Sequence, residues 1–459
     1  MSVLSVYHRL PSPLRSVAAS LRGWYLQSWR YGPETDRLVA EAIEREHWSA
    51  DRWRAWQEAS VGALLERAAA SVPHYREFWQ REHAGRPSAH LADWPILSKQ
   101  EVRASARQFV ADDCDPSRMF HEHTSGTSGT PLDLWWSRDT IREWYALFEA
   151  RYRLWYGVSR HDRWAILGGQ LVVPFHSRRP PFWVWNQALH QLYLSSYHVA
   201  PDLVPAYLDA IQAHRVEYVW GYTSALYALA EEAIRLKRRV PVRVVITNAE
   251  PVHAYQRAAI EETFGCPVRE TYGMAEIAAA ASECEQGRLH LWPDAGFTEL
   301  RTPEPVSSGG ASGALLCTGL VNRDMPLIRY DVGDRVVLPS SSAKCACGRT
   351  LPLLDAIEGR EDDVLISRDG RRIGRLDPAF KQQLPIREAQ IVQEATGKIR
   401  VRYVPAPEFT SAHEDELVSA LRSRLGDIDI ELEALDEIPR SAAGKFRAVV
   451  SQMAESRRR

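Results

Sequence analysis

Residues 123–131 read HTSGTSGTP, and an alternating stretch, LDLWWS, follows directly. Thr124, Ser125, Thr127, Ser128 and Thr130 place five hydroxyls within this run. Gly126 and Gly129 let the backbone bend without Cβ clashes and turn its N–H groups toward an anion. A loop of this composition suits a polyphosphate. No lysine follows the second glycine, so it is not a Walker A loop. Ser128 lies in G-T-S-G rather than G-x-S-x-G, which removes the hydrolase elbow. Most Ser/Gly runs are plain surface turns; motifs further along the chain decide against that reading here.

The chain has 459 residues, too many for one simple core, so two or three domains are expected. It is 45% hydrophobic and 25% charged with a net charge of −2, which argues against a nucleic-acid partner. Sixteen Trp and seventeen Tyr are many, and several cluster between Trp135 and Trp185. Most belong in the core, with a few available to line an apolar or aromatic ligand site. The first thirty residues contain no apolar run near the roughly 18 that cross a bilayer, so no integral membrane segment is expected. Between an amphipathic stretch on a membrane surface and a helix packed on its own domain, the second is preferred. The N-terminus has no signal-peptide pattern, which points to the cytoplasm. Six cysteines in such a chain read as thiols or metal ligands rather than a disulfide scaffold. The pattern sets no oligomeric state.

Residues 33–82 have helical spacing, as do 139–155. Val216–Trp220 reads as a short strand, and Thr223 or Ser224 is placed to cap the helix that follows. Arg243–Thr247 (RVVIT) is a buried-looking strand, followed by a helix through Phe264 and a returning strand in CPVRETYG. Such alternation predicts α/β units with parallel strands. From Arg288 the texture turns to β, with a loop over 307–313. A break falls at Glu358–Asp363, beyond which a hairpin and an amphipathic helix form a small α+β domain. The expected boundaries are 1–358, with a helical extension over 1–60, and 359–459.

Five segments recur in a fixed order: HTSGTSGTP, NAEP with ETYGMAE, RYDVGD, GREDD and PRSAAGKFR. Together they resemble the adenylate-forming (AMP-binding) superfamily, most closely the phenylacetate–coenzyme A ligase family and its branch associated with capsular polysaccharide genes. The resemblance implies an α/β fold: a large N-terminal domain of parallel sheets, helices and a β-rich part, with a small mobile C-terminal domain. It also implies ATP, Mg²⁺ and a carboxylic acid as ligands, with coenzyme A as acceptor. Thr124, Ser125, Gly126, Thr127, Ser128, Gly129 and Thr130 match the loop that grips pyrophosphate. Asn248, Ala249 and Glu250 match the stretch along the adenine. Tyr272, Gly273 and Met274 match the turn whose aromatic face receives the base, and Glu276 matches the Mg²⁺-associated carboxylate. Asp331 matches the residue that binds the ribose hydroxyls, Arg360 the ribose- or phosphate-side arginine, and Asp362 the hinge. Lys445 matches the lysine delivered to the carboxylate and α-phosphate when the small domain closes. The chemistry agrees: attack at the α-phosphorus accumulates charge on phosphate oxygens, which needs fixed donors and a hard cation.

The chain departs from the family at two places. Ala275 stands where a Thr or Ser commonly contacts the α-phosphate, and DGRRIGRLDP replaces the glycine-rich stretch after the hinge. Cys284, His290, Cys345 and Cys347 form a plausible tetrahedral zinc set, with unliganded thiols as the other reading. Cys114, Cys266 and Cys317 read as small core residues. The leading expectation is an AMP-forming acid–thiol ligase for an aromatic or apolar acid, with Trp164, Trp185, Tyr193, Trp220 and Tyr222 walling the acid pocket. The alternatives are acyl transfer to a sugar hydroxyl or amine in polysaccharide biosynthesis, and a non-catalytic nucleotide-binding homologue.

Overall fold

Proline and hydroxyl residues punctuate the first part of the chain, and helices begin where they stand. α1 (Val3–Arg9) and α2 (Ser12–Arg30) lead into α3 (Pro33–Arg45), α4 (Ala50–Ser71) and α5 (Pro73–His83). Pro33 and Pro73 stand in first turns, where a missing N–H goes unused. Ser49 accepts the Arg52 N–H to start α4, and a capping box between Ser98 and Glu101 opens α6 (Lys99–Ala104). These positions come from a computed structural model describing residues 3–123, 132–170, 172–174, 177, 179–307, 309–340, 343–360, 365–366, 372–373, 384–425, 428–439 and 449–451.

β1 (Phe120–His123) and β2 (Asp133–Trp136) pair antiparallel, ending at the rung His123↔Asp133. α7 (Arg138–Tyr152) follows, capped by Ser137. Next in order are β3 (Trp164–Gly168), β4 (Trp183–Asn186), β5 (Gln191–Ser195), α8 (Val204–Ala213), β6 (Tyr218–Tyr222), α9 (Thr223–Arg235), β7 (Val244–Asn248), α10 (Ala254–Phe264), β8 (Val268–Gly273), β9 (Ala280–Glu283) and β10 (Leu289–Leu291). β11 (Gly296–Pro305), β12 (Ala311–Gly319), β13 (Tyr330–Leu338), β14 (Leu353–Leu354) and β15 (Ala356–Arg360) complete this part of the chain.

A nine-stranded sheet runs β14-β10-β9-β8-β7-β6-β3-β5-β4. Its centre, β8-β7-β6-β3-β5, is parallel, and its flanks are antiparallel. Alternation sorts the side chains of each strand onto opposite faces. Val219 and Val245 meet Leu226, Leu229, Ile260 and Phe264 of α9 and α10 on one face. Tyr218, Trp220, Val244 and Ile246 meet Leu147, Ala150 and Tyr152 of α7 and Val39 and Ala42 of α3 on the other. A parallel sheet covered on both faces explains why these strands read as unbroken apolar runs.

The chain divides into two units, Met1–Glu299 with Leu316–Val332 and Pro339–Asp355, and Leu300–Leu315 with Gly333–Leu338 and Ala356–Arg459. In the second, β15 pairs antiparallel with β13, placing Arg360 opposite Asp334. β16 (Leu365–Ile366) pairs with β17 (Arg372–Ile373). β18 (Ile386–Ala395), β19 (Lys398–Pro405), α11 (Ser411–Leu425), β20 (Asp429–Ala434) and β21 (Val449–Ser451) follow. The sheet order is β20-β19-β18-β21, with the expected hairpin β18–β19 at its centre. Leu417 and Leu421, one turn apart on α11, pack against Ile391, Ile399 and Val401 of that hairpin.

Candidate active site and metal centre

In an open parallel sheet, ligand sites form beyond the carboxyl ends of the strands, where loops diverge. The Asn248–Glu250 and Tyr272–Glu276 stretches leave the carboxyl ends of the neighbouring strands β7 and β8. The Asn248 amide, turned so that both its atoms are satisfied, donates to the Gly221 carbonyl (2.9 Å) and accepts from Trp220 Nε1 (3.0 Å). Ala249 holds a left-handed conformation at φ 65°, which costs a non-glycine residue energy and recurs where a site imposes it. The Tyr152 hydroxyl donates to the Tyr272 carbonyl at 2.6 Å, fixing the first residue of the second turn.

Glu250 does something the sequence did not suggest. Its carboxylate accepts the Ser224 N–H (2.7 Å) and hydroxyl (3.0 Å), and its carbonyl accepts the Thr223 hydroxyl. The residue preceding α9 is Tyr222, which makes no side-chain cap. The expected capping by Thr223 or Ser224 is therefore corrected: a carboxylate from the next loop satisfies the helix N-terminus, and its charge suits the dipole there.

Glu276 is buried, and two groups from distant segments reach it. Tyr330 Oη donates to Oε1 at 3.0 Å, and Lys99 Nζ lies 3.2 Å from the same oxygen. A short parallel bridge brings Lys99 there. The Leu97 N–H donates to the Arg329 carbonyl (3.1 Å), and the Asp331 N–H donates to the Leu97 carbonyl (2.9 Å). Arg329 also donates to the carbonyls of Ala92 and Trp94, both at 2.9 Å. Asp331 thus adjoins Tyr330, whose hydroxyl holds Glu276. Both polar contacts fall on Oε1 among the described residues, so the Oε2 side suits a hard cation.

The cysteine set converges at the sheet flank. Cys284 follows β9 in a turn whose Gly287 holds φ 72°, and His290 sits on β10 opposite Leu353 of β14. Cys284 Sγ lies 3.6 Å from Cys345 Sγ, and Cys347 Sγ lies 3.4 Å from His290 Nε2. All four ligand atoms lie within 4.8 Å of one another. Tetrahedral zinc with its usual bond lengths needs S···S near 3.8 Å and S···N near 3.6 Å, about what the side chains present. His290 Nδ1 donates to the Leu351 carbonyl at 3.1 Å, which leaves the Nε2 lone pair toward the sulfurs. Burial holds His290 below its ordinary pKa, keeping the imidazole neutral as a ligand must be. Burial pushes the Cys284 thiol up to about 11, a cost that a bound dication would remove. Arg349 steadies the loop, pairing with Glu285 (2.7 Å) and Glu46 (3.3 Å) and stacking on Trp155. These donors fit zinc.

Residues 365–452 match the family described as the CapK C-terminal domain. Protein CapK of Staphylococcus aureus is 22% identical over 375 residues, 80% of this chain and 81% of that protein. A phenylacetate-coenzyme A ligase of Thermus thermophilus is 28% identical over 279 residues, covering 52% of this chain and 61% of its own. A 2-hydroxyisobutyryl-CoA ligase structure, solved in the postadenylation state with an acyl-AMP, superposes with a TM-score of 0.68. It is 22% identical, with 90% of this chain and 92% of that one covered. The chain has the adenylate-forming ligase fold. It is a homologue of CapK and of the phenylacetate-coenzyme A ligases.

Within that fold, the residues assigned from sequence divide into three groups. Asn248, Ala249, Glu250, Tyr272, Gly273, Met274, Glu276 and Asp331 lie in the first unit, around the ends of β7 and β8 and the start of β13. Cys284, His290, Cys345 and Cys347 form the separate cluster. Thr124 to Thr130, Asp362 and Lys445 lie outside the described residues, as does the Arg360 side chain. Of the aromatic residues expected to wall the acid pocket, Trp220 and Tyr222 approach Asn248. Trp164 opens β3 at its amino end, stacked between Tyr218 and Arg153, and Trp185 lies on the edge strand under Arg163. Those two serve packing. Lys99 escaped the sequence reading; its only local signal was the Ser98–Glu101 capping box, which announces a helix start and not a site.

Proposed function

We propose that the chain is an AMP-forming carboxylate ligase. A carboxylate oxygen of the acid attacks the α-phosphorus of ATP, the bond to the β-phosphate oxygen breaks, and pyrophosphate leaves. The acyl-adenylate then passes its acyl group to a thiol, with coenzyme A the favoured acceptor and AMP the leaving group. The observation that carries this reading is the buried Glu276 beside the carboxyl ends of the parallel strands, held by Tyr330 and Lys99. Mg²⁺ bound there would offset phosphate charge. The chain's own groups bind and orient: Asp331 accepts from the ribose hydroxyls, Tyr272 presents its ring to adenine, and Asn248 to Glu250 border the base. Residues 124–130 grip the departing pyrophosphate. Lys445 steadies the carboxylate and α-phosphate, and Arg360 contacts the ribose or phosphate side. The domain division implied by these roles is 1–358 and 359–459, hinged at Asp362.

The acid is assigned to the aromatic or apolar class from the ring-rich surroundings of Trp220 and Tyr222. A second acceptor class, a sugar hydroxyl or amine, is favoured by the DGRRIGRLDP segment and by the match of residues 365–452 to the CapK C-terminal domain. Cys284, His290, Cys345 and Cys347 are assigned a structural zinc. ATP–pyrophosphate exchange across aryl, fatty and hydroxy acids tests the first half-reaction. Exchange that depends on the acid and collapses in Lys445→Ala supports it; ATP binding without exchange across the panel refutes it. Dependence of product on coenzyme A then separates the two acceptor classes.

A further inference from the structure

α2 presents its faces the wrong way round for a helix of a soluble domain. The side toward the fold is small and polar. Ser16 Oγ accepts the Trp185 N–H (3.2 Å) and Ser20 Oγ accepts the Gln187 N–H (3.0 Å), while Gly23 is buried beside Asn186. These bonds cover the outer edge of β4, whose backbone would otherwise be open to pairing. The side away from the fold carries Leu14, Val17, Leu21, Trp24 and Tyr25, each exposed by 49–57%. On a helix these five fall within about 100° of arc, the width of an apolar stripe that ordinarily faces a core. Val6 of α1 is exposed by 50% as well.

The charges that α1 and α2 themselves carry have one sign. The first acidic residue of the chain is Glu34, and before it stand Arg9, Arg15, Arg22 and Arg30. Arg9 and Arg22 are exposed. Arg138 joins them from α7, donating to Tyr25 Oη at 3.0 Å. Arg30 turns inward, over the Tyr145 ring at 3.8 Å, and Arg15 buries part of its guanidinium. We infer that α2 docks on an anionic lipid surface, lying in the plane of the interface. Leu14, Val17 and Leu21 enter the acyl boundary, Trp24 and Tyr25 sit at the headgroup level, and the arginines meet lipid phosphates. A second copy of the chain fits less well, because a twofold contact through this face would set arginines against arginines.

Sedimentation of the full-length protein with vesicles tests this. Binding is expected to vesicles of phosphatidylcholine with phosphatidylglycerol and not to phosphatidylcholine alone. Leu21→Glu with Trp24→Glu should abolish it without moving the unfolding midpoint, since both side chains are already in solvent. Arg9→Ala with Arg22→Ala should weaken partitioning about thirtyfold, from roughly fivefold per arginine near an anionic surface. Three results would overturn the inference. They are equal binding to both vesicle types, no vesicle binding at all, and self-association in free solution that Leu21→Glu abolishes.

Discussion

The four-ligand cluster makes a prediction that can be worked through. Zinc-supplemented protein should carry one zinc per chain, held by Cys284, His290, Cys345 and Cys347. A site loaded a thousandfold above its dissociation constant stabilises the native state by about 4 kcal/mol. At roughly 2 °C per kcal/mol, the low end suited to a large unit, chelation should lower the unfolding midpoint by about 8 °C. The unit should nevertheless stay folded. The Arg349 pairs with Glu46 and Glu285, the Thr350 bonds to Glu46 and Trp48, and the His290↔Leu353 rung need no metal. Loss should therefore be local, seen as faster amide exchange over 284–291 and 345–354. Cys347→Ser should lose the zinc and unfold where chelated wild type does, whereas Cys114→Ser should keep it. Metal analysis, thermal unfolding and hydrogen exchange measure each part. Substoichiometric zinc after supplementation, or identical midpoints and exchange with and without chelator, would refute the assignment.

Other consequences follow from single side chains. Glu276→Gln keeps the shape and removes the charge, so acid-dependent pyrophosphate exchange should fall at least about a hundredfold, with stability unchanged. Tyr330→Phe removes one hydrogen bond to that charged carboxylate, worth about 1.5–3 kcal/mol, and should cost about ten- to a hundredfold in the same assay. Asp294 lies between Arg151 and Arg45 at 2.5 and 3.1 Å. Asp294→Ala would leave the fully buried Arg151 guanidinium with only Glu46 at 3.6 Å and the Ala42 carbonyl, and cost about 3 kcal/mol in denaturant unfolding, the low end for a broken buried pair. Burial opposes ionisation of Asp294, but Arg151 and then Arg45 outweigh it and hold the carboxyl below its ordinary value. Its contribution is thus present above the unfolded carboxylate range and lost as pH falls through the lower folded value. Asp294→Asn should accordingly flatten the acid limb of stability against pH. A Cβ on Gly296 would overlap the Ala278 carbonyl oxygen, so Gly296→Ala should destabilise by about 1–3 kcal/mol in the same unfolding assay.

How much of this was legible depends on the range of the interaction. β7 could be read because a strand buried on both faces is an apolar run whatever surrounds it, and β8, with its Arg269 and Glu270, only as the strand that returns after α10. β6 was placed two residues early, since nothing local shows that Gly221 and Tyr222 still pair with Thr247 and Asn248. The cap of α9 was misassigned for a similar reason. Ser224 is a fair cap by type, but a carboxylate 26 residues away takes its N–H and hydroxyl. The cysteine set could be read from its donor chemistry together with the family resemblance, with unliganded thiols as the other reading, and the four ligand atoms do converge. Lys99 could not, because its place beside Glu276 rests on the bridge between Leu97 and Tyr330. The N-terminal helix was expected to pack on its own domain, and it does. Its outward apolar face became visible only once Ser16, Ser20 and Gly23 were seen to be the packed side.

Ala275 is the residue that most favours a nucleotide-binding chain without turnover, because the family resemblance puts a hydroxyl donor to phosphate at that position. Its neighbour argues the other way. A nearly buried carboxylate costs several kcal/mol unless it is paired, and an apolar side chain in its place is often as stable or more so. A scaffold would gain nothing by keeping Glu276. Here the carboxylate is matched by a phenol from β13 and an ammonium from α6, the second brought there by backbone bonds from Leu97 and anchored by Arg329. An arrangement with this much long-range support has a use for a negative charge at that point, and charge developing on phosphate oxygens beside a cation provides one. One missing donor costs about 10²–10³ in rate where it has been measured. That leaves most of an adenylating enzyme's acceleration to the remaining groups, so the balance at residues 275 and 276 falls on the side of catalysis.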